Sequence, residues 1–480
     1  MPVMTDVPAV TLPTSAPTSG AAEAPASTPF LTSAASPASP AFPAGTAPAA
    51  DPASAAGPVG APGVPGRPAA ESVPPLLGAL LPAQRWTAAE AVLLARLARV
   101  AETELAPRAA ASDAAGRYPT ASIAALRAAG LTAVSVPAAL GGPGVSHRFF
   151  LEALVRLAAV DSAVAQIWKV HDELTREILV YCPDGLRRWL AGELLAGKLL
   201  GLAVAETGRT AADPWKTVVT AGDGGRRVIN GTKIYTTGAA EADYIATWAF
   251  DPVAGAENPL LGFALTLVPA GTPGVTIHRD WDALGQRATD SGTITFEQVG
   301  VDAALAANVP GRAPLPQNSV RYQAGFAATL LGIGFGALRA ASGFVADAAR
   351  PWVTAGVDRA ADDPMVRRLT GELAADLAAA YALTLATGDL LDAFERGELD
   401  RTALALPIYA AKAAASRAAV RATSEIYALM GTRSTAAARG FDRYWRDART
   451  LSLHDPVDWK HAELGQYLLT GEPPEPGVYS

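Results

Sequence analysis

Residues 431–460 have the sequence GTRSTAAARGFDRYWRDARTLSLHDPVDWK, which concentrates reactive side chains in a chain otherwise rich in Ala and Leu. Its polar groups include five arginines and one histidine: Arg433, Arg439, Arg443, Arg446, Arg449 and His454. The opening segment, 431–435, predicts the end of a helix followed by a turn. Backbone N–H groups of such a turn, with the guanidinium of Arg433 and the neighbouring Ser434 and Thr435, are suited to hold an anion.

A second turn, Leu453–Pro456, separates two predicted helices. Pro456 prevents His454 and Asp455 from simply continuing the first helix, so the turn fixes the direction of the His454 side chain. A histidine held in this way beside an aspartate is either a placed functional group or a structural residue that caps a helix. This stretch alone leaves both interpretations open.

Composition limits the possible functions. The chain has 480 residues, 50% of them hydrophobic, which is enough for two or three domains. A net charge of -7 and a charged fraction of 18% argue against a nucleic-acid surface. Cys182 is the only cysteine, and the five histidines lack the spacing of known zinc motifs, so no metal site is predicted. Without a signal peptide or an uncharged apolar run that could span a membrane, a cytoplasmic location is expected and no membrane partner is predicted.

The chain divides into four parts by pattern. Residues 1–80 are mostly Ala, Pro, Ser, Thr and Gly, and we expect a disordered tail. A capping box at Thr87–Glu90 then opens an all-helical domain, 85–200. Alternating apolar residues predict a middle antiparallel β-barrel domain at 201–310. Long helical patterns at 320–348, 363–395, 402–430 and 458–468 predict a C-terminal four-helix bundle within 315–480.

Two motifs lie in the β domain. Val218–Thr220 and Val228–Asn230 flank a glycine-rich segment and predict a hairpin. Asn230–Lys233, with the sequence NGTK, predicts a turn that leads into Ile234–Ala239. Further along, Trp281–Thr293 has the sequence WDALGQRATDSGT.

The domain order and these motifs resemble the acyl-CoA dehydrogenase family over about residues 85–480. NGTKIYTT, at 230–237, is similar to the family's NGTK-x-W-x-T segment, and Trp281–Thr293 is similar to its G-x-R-x-T/S-x-S segment. The resemblance implies an α+β fold of the acyl-CoA dehydrogenase type. Dehydrogenases of this family use a glutamate, often in a Y-E-G-T context, but Tyr444–Thr450 contains no glutamate.

The sequence after the glycine turn is instead similar to the flavin-dependent monooxygenase branch. FDRYWR at 441–446, LHDPV at 453–457, the Arg350–Trp352 segment and the Tyr479–Ser480 end carry this resemblance. Within that branch it resembles dibenzothiophene monooxygenase and the oxidoreductases of sulfur acquisition that act on small sulfones. The resemblance implies O2, a small organosulfur substrate and reduced FMN from a separate, transiently bound flavin reductase, with FAD as the alternative cofactor.

The resemblance also implies roles for single residues. His454 and His171 would face the flavin as catalytic groups, and Thr237 would donate a hydrogen bond near flavin N5. The pocket and phosphate site would comprise Trp281, Ser291, Arg350, Arg433, Ser434 and Thr435. In contrast, Leu202–Glu206 begins with apolar residues where relatives carry hydroxyl or amide side chains, so the flavin contacts there are open.

Two other functions remain possible at this stage. An FAD-dependent acyl-CoA dehydrogenase or oxidase would need a glutamate from elsewhere, such as Glu425 on the preceding helix. A flavin-free scaffold protein is the non-catalytic alternative. The Ala-rich surface predicted at 410–419, with few charges, predicts a homotetramer.

Overall fold

The computed structural model describes residues 84–208, 215–312 and 318–477, which lie in one compact unit. The predicted tail and the Tyr479–Ser480 end lie outside the described residues. Helices form both ends of the described chain, and a β-sheet lies between them in sequence. This order confirms the α+β fold predicted from the motifs.

In the part of the chain that the structure describes, six α-helices precede the sheet. They are α1 (Ala88–Val100), α2 (Ala106–Ala115), α3 (Thr120–Ala128), α4 (His147–Ala158), α5 (Ser162–Tyr181) and α6 (Asp184–Leu195). The capping box is confirmed, because the Glu90 N–H donates to the Thr87 hydroxyl (3.2 Å) and the Thr87 N–H to the Glu90 carboxylate (3.1 Å). Almost every residue of α5 is buried, so this helix is the centre of the N-terminal part.

The sheet has eight strands in the described chain. They are β1 (Leu200–Ala203), β2 (Val218–Ala221), β3 (Arg226–Lys233), β4 (Tyr244–Phe250), β5 (Phe263–Pro269), β6 (Val275–Ile277), β7 (Ile294–Asp302) and β8 (Ala306–Asn308). The predicted hairpin is confirmed, with Val219 opposite Ile229. Seven strands follow the order β6-β7-β3-β2-β4-β5-β8, and β1 pairs with β4. Most pairs are antiparallel, but β1 and β2 run parallel to β4. The described strands thus form an open, mainly antiparallel sheet.

The turn predicted at Asn230–Lys233 is wrong, because these residues continue strand β3. The Asn-Gly pair marks a bulge, where pairing with β7 shifts register between Ile229 and Gly231. Gly231 has a φ of 145°, and a Cβ there would lie 2.5 Å from the Cα of Thr217. Lys233 is fully buried and donates hydrogen bonds to Glu206 (2.8 Å) and to the carbonyl of Val204 (2.9 Å). The NGTK motif therefore has a structural role here.

Within residues 318–477, five α-helices follow the sheet: α7 (Asn318–Asp347), α8 (Pro364–Glu395), α9 (Arg401–Met430), α10 (Asp442–Ser452) and α11 (Val457–Thr470). Four of them match the predicted helices, and α10 precedes the predicted turn at Leu453–Pro456. Helices α7 and α8 are long and apolar enough to cross a membrane by length and composition. The apolar part of α7 is almost entirely buried by the rest of the protein, as in the core helix of a globular bundle.

One carboxylate connects all three parts of the fold. The Asp447 side chain on α10 accepts hydrogen bonds from the Ser162 hydroxyl at the start of α5 (2.6 Å) and from the Gln286 N–H in the loop before β7 (2.6 Å). Burial raises the pKa of Asp447 to about 6. The same contact requires Gly285, because a Cβ at that residue would lie 2.1 Å from the carbonyl oxygen of Arg446.

We expect Asp447→Ala to lower the free energy of unfolding by about 2–5 kcal/mol, since it leaves two buried donors without an acceptor. In Asp447→Asn the amide oxygen still accepts from the Gln286 N–H, and the amide N–H can donate to the Ser162 hydroxyl. This variant should therefore lose less free energy of unfolding than Asp447→Ala. Thermal and urea unfolding of both variants measure the difference. An Asn variant as unstable as the Ala variant would contradict the assigned hydrogen bonds.

The difference in stability between the wild type and Asp447→Asn should depend on pH. The pKa of Asp447 is raised from 3.8 to about 6 in the folded state, so that state binds the proton more tightly than the unfolded chain does. Stability contributed by this group therefore falls as the pH rises from 3.8 to about 6. Asp447→Asn lacks this term, so its stability relative to the wild type should improve between pH 4 and pH 7.

Candidate active site

The structure brings Thr237, Ser291 and Trp281 together at one edge of the sheet. The hydroxyl oxygens of Thr237 and Ser291 are 2.8 Å apart, and both side chains are buried. Trp281 donates from its indole N–H to the carbonyl of Gln286 (3.0 Å) and lies edge-on to the ring of Tyr235, with ring centroids 5.9 Å apart. Tyr235 is exposed, so this edge presents an aromatic surface beside two buried hydroxyls.

Backbone strain is concentrated at the same edge. Tyr235, Arg279, Gln286 and Asp290 all have positive φ angles between 48° and 56°, a conformation that side-chain-bearing residues rarely adopt. Such residues persist only where surrounding contacts hold them, and they occur frequently at ligand sites. The contact between Gln286 and Asp447 is one such restraint. The Trp281–Thr293 motif is thus a strained loop that is fixed in place.

Gln286 is a candidate that sequence reasoning missed. Its side chain is buried, and neither its amide nitrogen nor its amide oxygen has a hydrogen-bond partner among the described residues. An unsatisfied buried amide is costly, and it indicates that water or a ligand with both a donor and an acceptor completes the site. The motif placed a glutamine here, but only the three-dimensional structure shows that its amide is unpaired.

His171 lies close to this edge but is fully engaged. The Leu200 N–H donates to its Nδ1 (3.0 Å), and its Nε2 lies 2.6 Å from the carbonyl oxygen of Thr132. Since Nδ1 accepts, Nε2 carries the proton and donates it to that carbonyl. Burial lowers the pKa of His171, which keeps the ring neutral. This geometry supports a structural role that connects α5 to β1, and it leaves neither ring nitrogen available for direct proton transfer.

His454 lies in the turn between α10 and α11, where its ring packs against Phe326 with centroids 4.0 Å apart. Its side chain is 42% exposed, and its Nδ1 is 3.6 Å from a carboxylate oxygen of Asp455. That same oxygen accepts a hydrogen bond from the ammonium of Lys412 (2.8 Å). Lys412 also donates to the amide oxygen of Gln323 (3.2 Å). The predicted turn is confirmed, and a buried ion pair supports it.

These neighbours determine which groups carry charge. Desolvation lowers the pKa of His454, and the cations Lys412 and Lys169 lower it further, which outweighs the opposite effect of Asp455 and favours the neutral ring. Burial would raise the pKa of Asp455, but its contacts with His454 and Lys412 depress it well below the usual range. Asp455 is therefore a fixed anion and a poor base.

The predicted phosphate site lies on a separate turn, after α9. Arg433 donates to the carbonyl of Ala348 (2.5 Å), which follows α7 and precedes exposed Arg350 by two residues. The two arginines thus belong to one region of the surface. The hydroxyls of Ser434 and Thr435 donate to carbonyls within their own turn, at 2.8 Å and 2.7 Å. Their hydrogens are therefore occupied, and the geometry does not support direct donation from these two hydroxyls to a phosphate.

The predicted site residues form three groups in the single chain. Thr237, Ser291 and Trp281 lie at the sheet edge, His454 lies against α7 and α9, and Arg433 lies near Arg350 at the end of α7. Glu425, the glutamate required by the dehydrogenase alternative, forms a two-point contact with Arg421 on α9 (3.0 and 3.3 Å).

Comparison with known proteins identifies the family. Descriptions of the N-terminal, middle and C-terminal domains of acyl-CoA dehydrogenase match residues 87–198, 201–299 and 324–459. The chain therefore belongs to the acyl-CoA dehydrogenase family. The three matches follow the helical, sheet and helical parts of the fold.

Its relatives place it in the monooxygenase branch. It is 32% identical to the probable FMNH2-dependent monooxygenase SfnC of Pseudomonas putida, over 80% of this chain and 96% of SfnC. It is 36% identical to dibenzothiophene monooxygenase of Mycolicibacterium goodii, over 77% of this chain and 91% of that enzyme. The crystal structure of FMN-bound TdsC from Paenibacillus sp. A11-2 has a TM-score of 0.77 and 30% identity, covering 81% of this chain and all of TdsC. The branch predicted from FDRYWR and LHDPV is confirmed.

Proposed function

We propose that this protein is an FMNH2-dependent monooxygenase that oxidises a small organosulfur compound with O2. The supporting observation is the state of the carboxylate beside His454. A dehydrogenase needs a carboxylate that can remove a substrate proton, but Asp455 forms a buried ion pair with Lys412, and Glu425 is bound to Arg421. The family relationship to SfnC and dibenzothiophene monooxygenase supports the same function.

The residues at the sheet edge fit a flavin. An isoalloxazine ring is flat and carries both donors and acceptors along its polar edge, which suits the exposed ring of Tyr235, the edge-on Trp281 and the unpaired amide of Gln286. Ser291 donates its hydroxyl hydrogen to Thr289 (2.8 Å), so Thr237 donates to Ser291 (2.8 Å), and the Thr237 oxygen keeps a lone pair that can accept a hydrogen bond from the flavin. Arg433 is placed on a turn suited to the phosphate. When bound, reduced FMN supplies the electrons that activate O2.

The residues of the chain itself would position the flavin and transfer a proton during the reaction. The Asp447 contact fixes the loop that carries Trp281 and Gln286, so the proposed flavin edge is preorganised. His454 is the proposed proton-transfer group, because its neutral ring can accept a proton and later return it. Phe326 holds the ring by packing, and Lys412 keeps Asp455 ionised nearby. Lys169 and Lys412 limit protonation of His454 at rest.

The proposed function is tested with purified protein, FMN, a flavin reductase, NADH and O2. We expect oxidation of at least one small sulfone, sulfinate or thiophene, and only when reduced FMN and O2 are both present. Separately, acyl-CoA should fail to reduce bound flavin under anaerobic conditions. Reduction of the flavin by acyl-CoA, with no oxygenated sulfur product, would support the dehydrogenase alternative instead.

Arg433→Ala should weaken FMN binding by on the order of 10-fold or more, since a hydrogen bond to a charged group contributes about 1.5–3 kcal/mol. Riboflavin lacks the phosphate, so its affinity should barely change. Fluorescence titration of both ligands measures this. Arg439→Ala is the matched control, because Arg439 lies six residues further along and stacks over Phe344. Equal losses for riboflavin and FMN would show that Arg433 binds elsewhere.

His454→Phe preserves a ring against Phe326 while it removes the ring nitrogens. If His454 transfers a proton, sulfur oxidation should fall by about 10²–10⁴-fold, and more of the consumed O2 should appear as H2O2. FMN affinity should change little. The control is His461→Phe, which alters an exposed histidine on α11. A His454→Phe enzyme with the wild-type ratio of product to consumed O2 would leave His454 with a structural role only.

We further propose a homotetramer in the cytoplasm, where a reductase can supply reduced FMN. The Ala-rich segment 410–419 is mostly buried within the chain, so it offers little surface for assembly. Large apolar side chains are exposed elsewhere instead, including Trp352 at 72%, Trp459 at 68% and Leu469 at 88%. Exposed apolar surface of this kind favours association. Light scattering that yields a monomer mass would contradict the assembly.

A further inference from the structure

A buried histidine faces two carboxylates, and none of the three belongs to the candidate active site. His147 is the first residue of α4 and is completely buried, whereas Asp392 and Glu395 lie three residues apart in the last turn of α8. That spacing places the two carboxylates on one helix face. One ligand atom from each of the three residues lies within 4.8 Å of the others.

One side of the imidazole has a clear partner. Asp392 Oδ1 accepts hydrogen bonds from the backbone N–H of His147 (3.1 Å) and from its Nδ1 (2.7 Å). The same carboxylate oxygen accepts both bonds, so Nδ1 carries the proton. A neutral His147 then has its lone pair on Nε2.

That lone pair has no hydrogen-bond partner among the described residues, although Nε2 is buried. It lies 3.3 Å from Glu395 Oε1, which is also an acceptor. A buried Nε2 without a partner, this close to a carboxylate oxygen, is a place where a cation can bind between the two atoms. Arg176 does not supply it, because its guanidinium is bound to Asp172 (2.9 Å) and to the carbonyl of Val145 (3.1 Å).

The distance suits a metal ion. Two ligand bonds of about 2.0–2.1 Å at a tetrahedral angle separate their ligand atoms by about 3.4 Å, close to the observed distance between Nε2 and Oε1. A carboxylate that holds the opposite nitrogen of the imidazole, as Asp392 does, is a frequent feature of zinc-bound histidines. Glu395 is 45% exposed, so its carboxylate is accessible from solvent.

We propose that His147 and Glu395, with Asp392 as the supporting carboxylate, bind one divalent cation of the zinc class. The combination of imidazole and carboxylate ligands favours Zn²⁺ over Mg²⁺. The ion would join the start of α4 to the end of α8, and so connect the N-terminal helices to the C-terminal helices. The site is independent of the proposed flavin chemistry. The spacing of histidines along the sequence predicted no metal, because His147 and Asp392 are 245 residues apart.

Calorimetric titration of the full chain with ZnCl2, after treatment with a chelator and its removal, tests this site. We expect one Zn²⁺ per chain with a micromolar Kd, little or no binding of Mg²⁺, and a zinc-dependent rise in Tm. Glu395→Gln should weaken zinc binding at least ten-fold. Glu395 is at the surface, so this variant should fold, and an unchanged Tm without zinc will confirm that it does.

The matched control is Glu398→Gln, which alters an exposed glutamate that pairs with Arg396 (2.6 Å) just beyond α8. It should bind Zn²⁺ as the wild type does. Absence of zinc binding by the wild type would overturn the proposal and assign His147 as a protonated bridge between two carboxylates. Equal binding by Glu395→Gln and the wild type would also overturn it, since the ion would then lie elsewhere. Neither outcome depends on whether the protein is a monooxygenase.

Discussion

The hydrogen bonds of the Asp447 carboxylate position most of the candidate site. They join the start of α5, the Trp281–Thr293 loop and α10, which come from the helical, sheet and helical parts of the chain. The loop holds the strained Gln286 and the neighbouring hydroxyl of Ser291 at the sheet edge. A buried carboxylate at this junction is costly in its ionised form, as its raised pKa shows. In return, the hydrogen bonds of this one residue fix three segments of the chain relative to one another.

A second ionic contact determines the chemistry near His454. Lys412 neutralises Asp455 at full burial, so the turn presents a neutral imidazole rather than a carboxylate base. Phe326 contributes by packing with His454, and it also lies beneath the Lys169 ammonium, 3.7 Å from the ring centroid. Charge and packing together determine the state of the histidine.

Local patterns in the sequence predicted most elements correctly. The Thr87–Glu90 capping box, the Val219–Ile229 hairpin and the long C-terminal helices depend on neighbouring residues, so periodicity and turn chemistry suffice to find them. The Asn230–Gly231 turn was wrong because strand pairing with β7 outweighed the local preference of the dipeptide. The interactions of Gln286, Asp447 and His171 could not be predicted from the sequence, because each depends on partners that are distant along the chain and come close only in the folded protein. The motifs identified the family and its branch, and the contacts distinguish positioning residues from candidates for chemistry.

The central claim is that O2, activated by reduced FMN, is the source of the oxygen placed on sulfur. Mass spectrometry of the product formed under ¹⁸O2 in unlabelled water, with reduced FMN supplied by a reductase, tests that claim most directly. The account predicts one ¹⁸O atom in each newly oxidised product molecule and none when the labels of gas and water are exchanged. Oxygen derived from water, or a product formed equally well without O2, would contradict it.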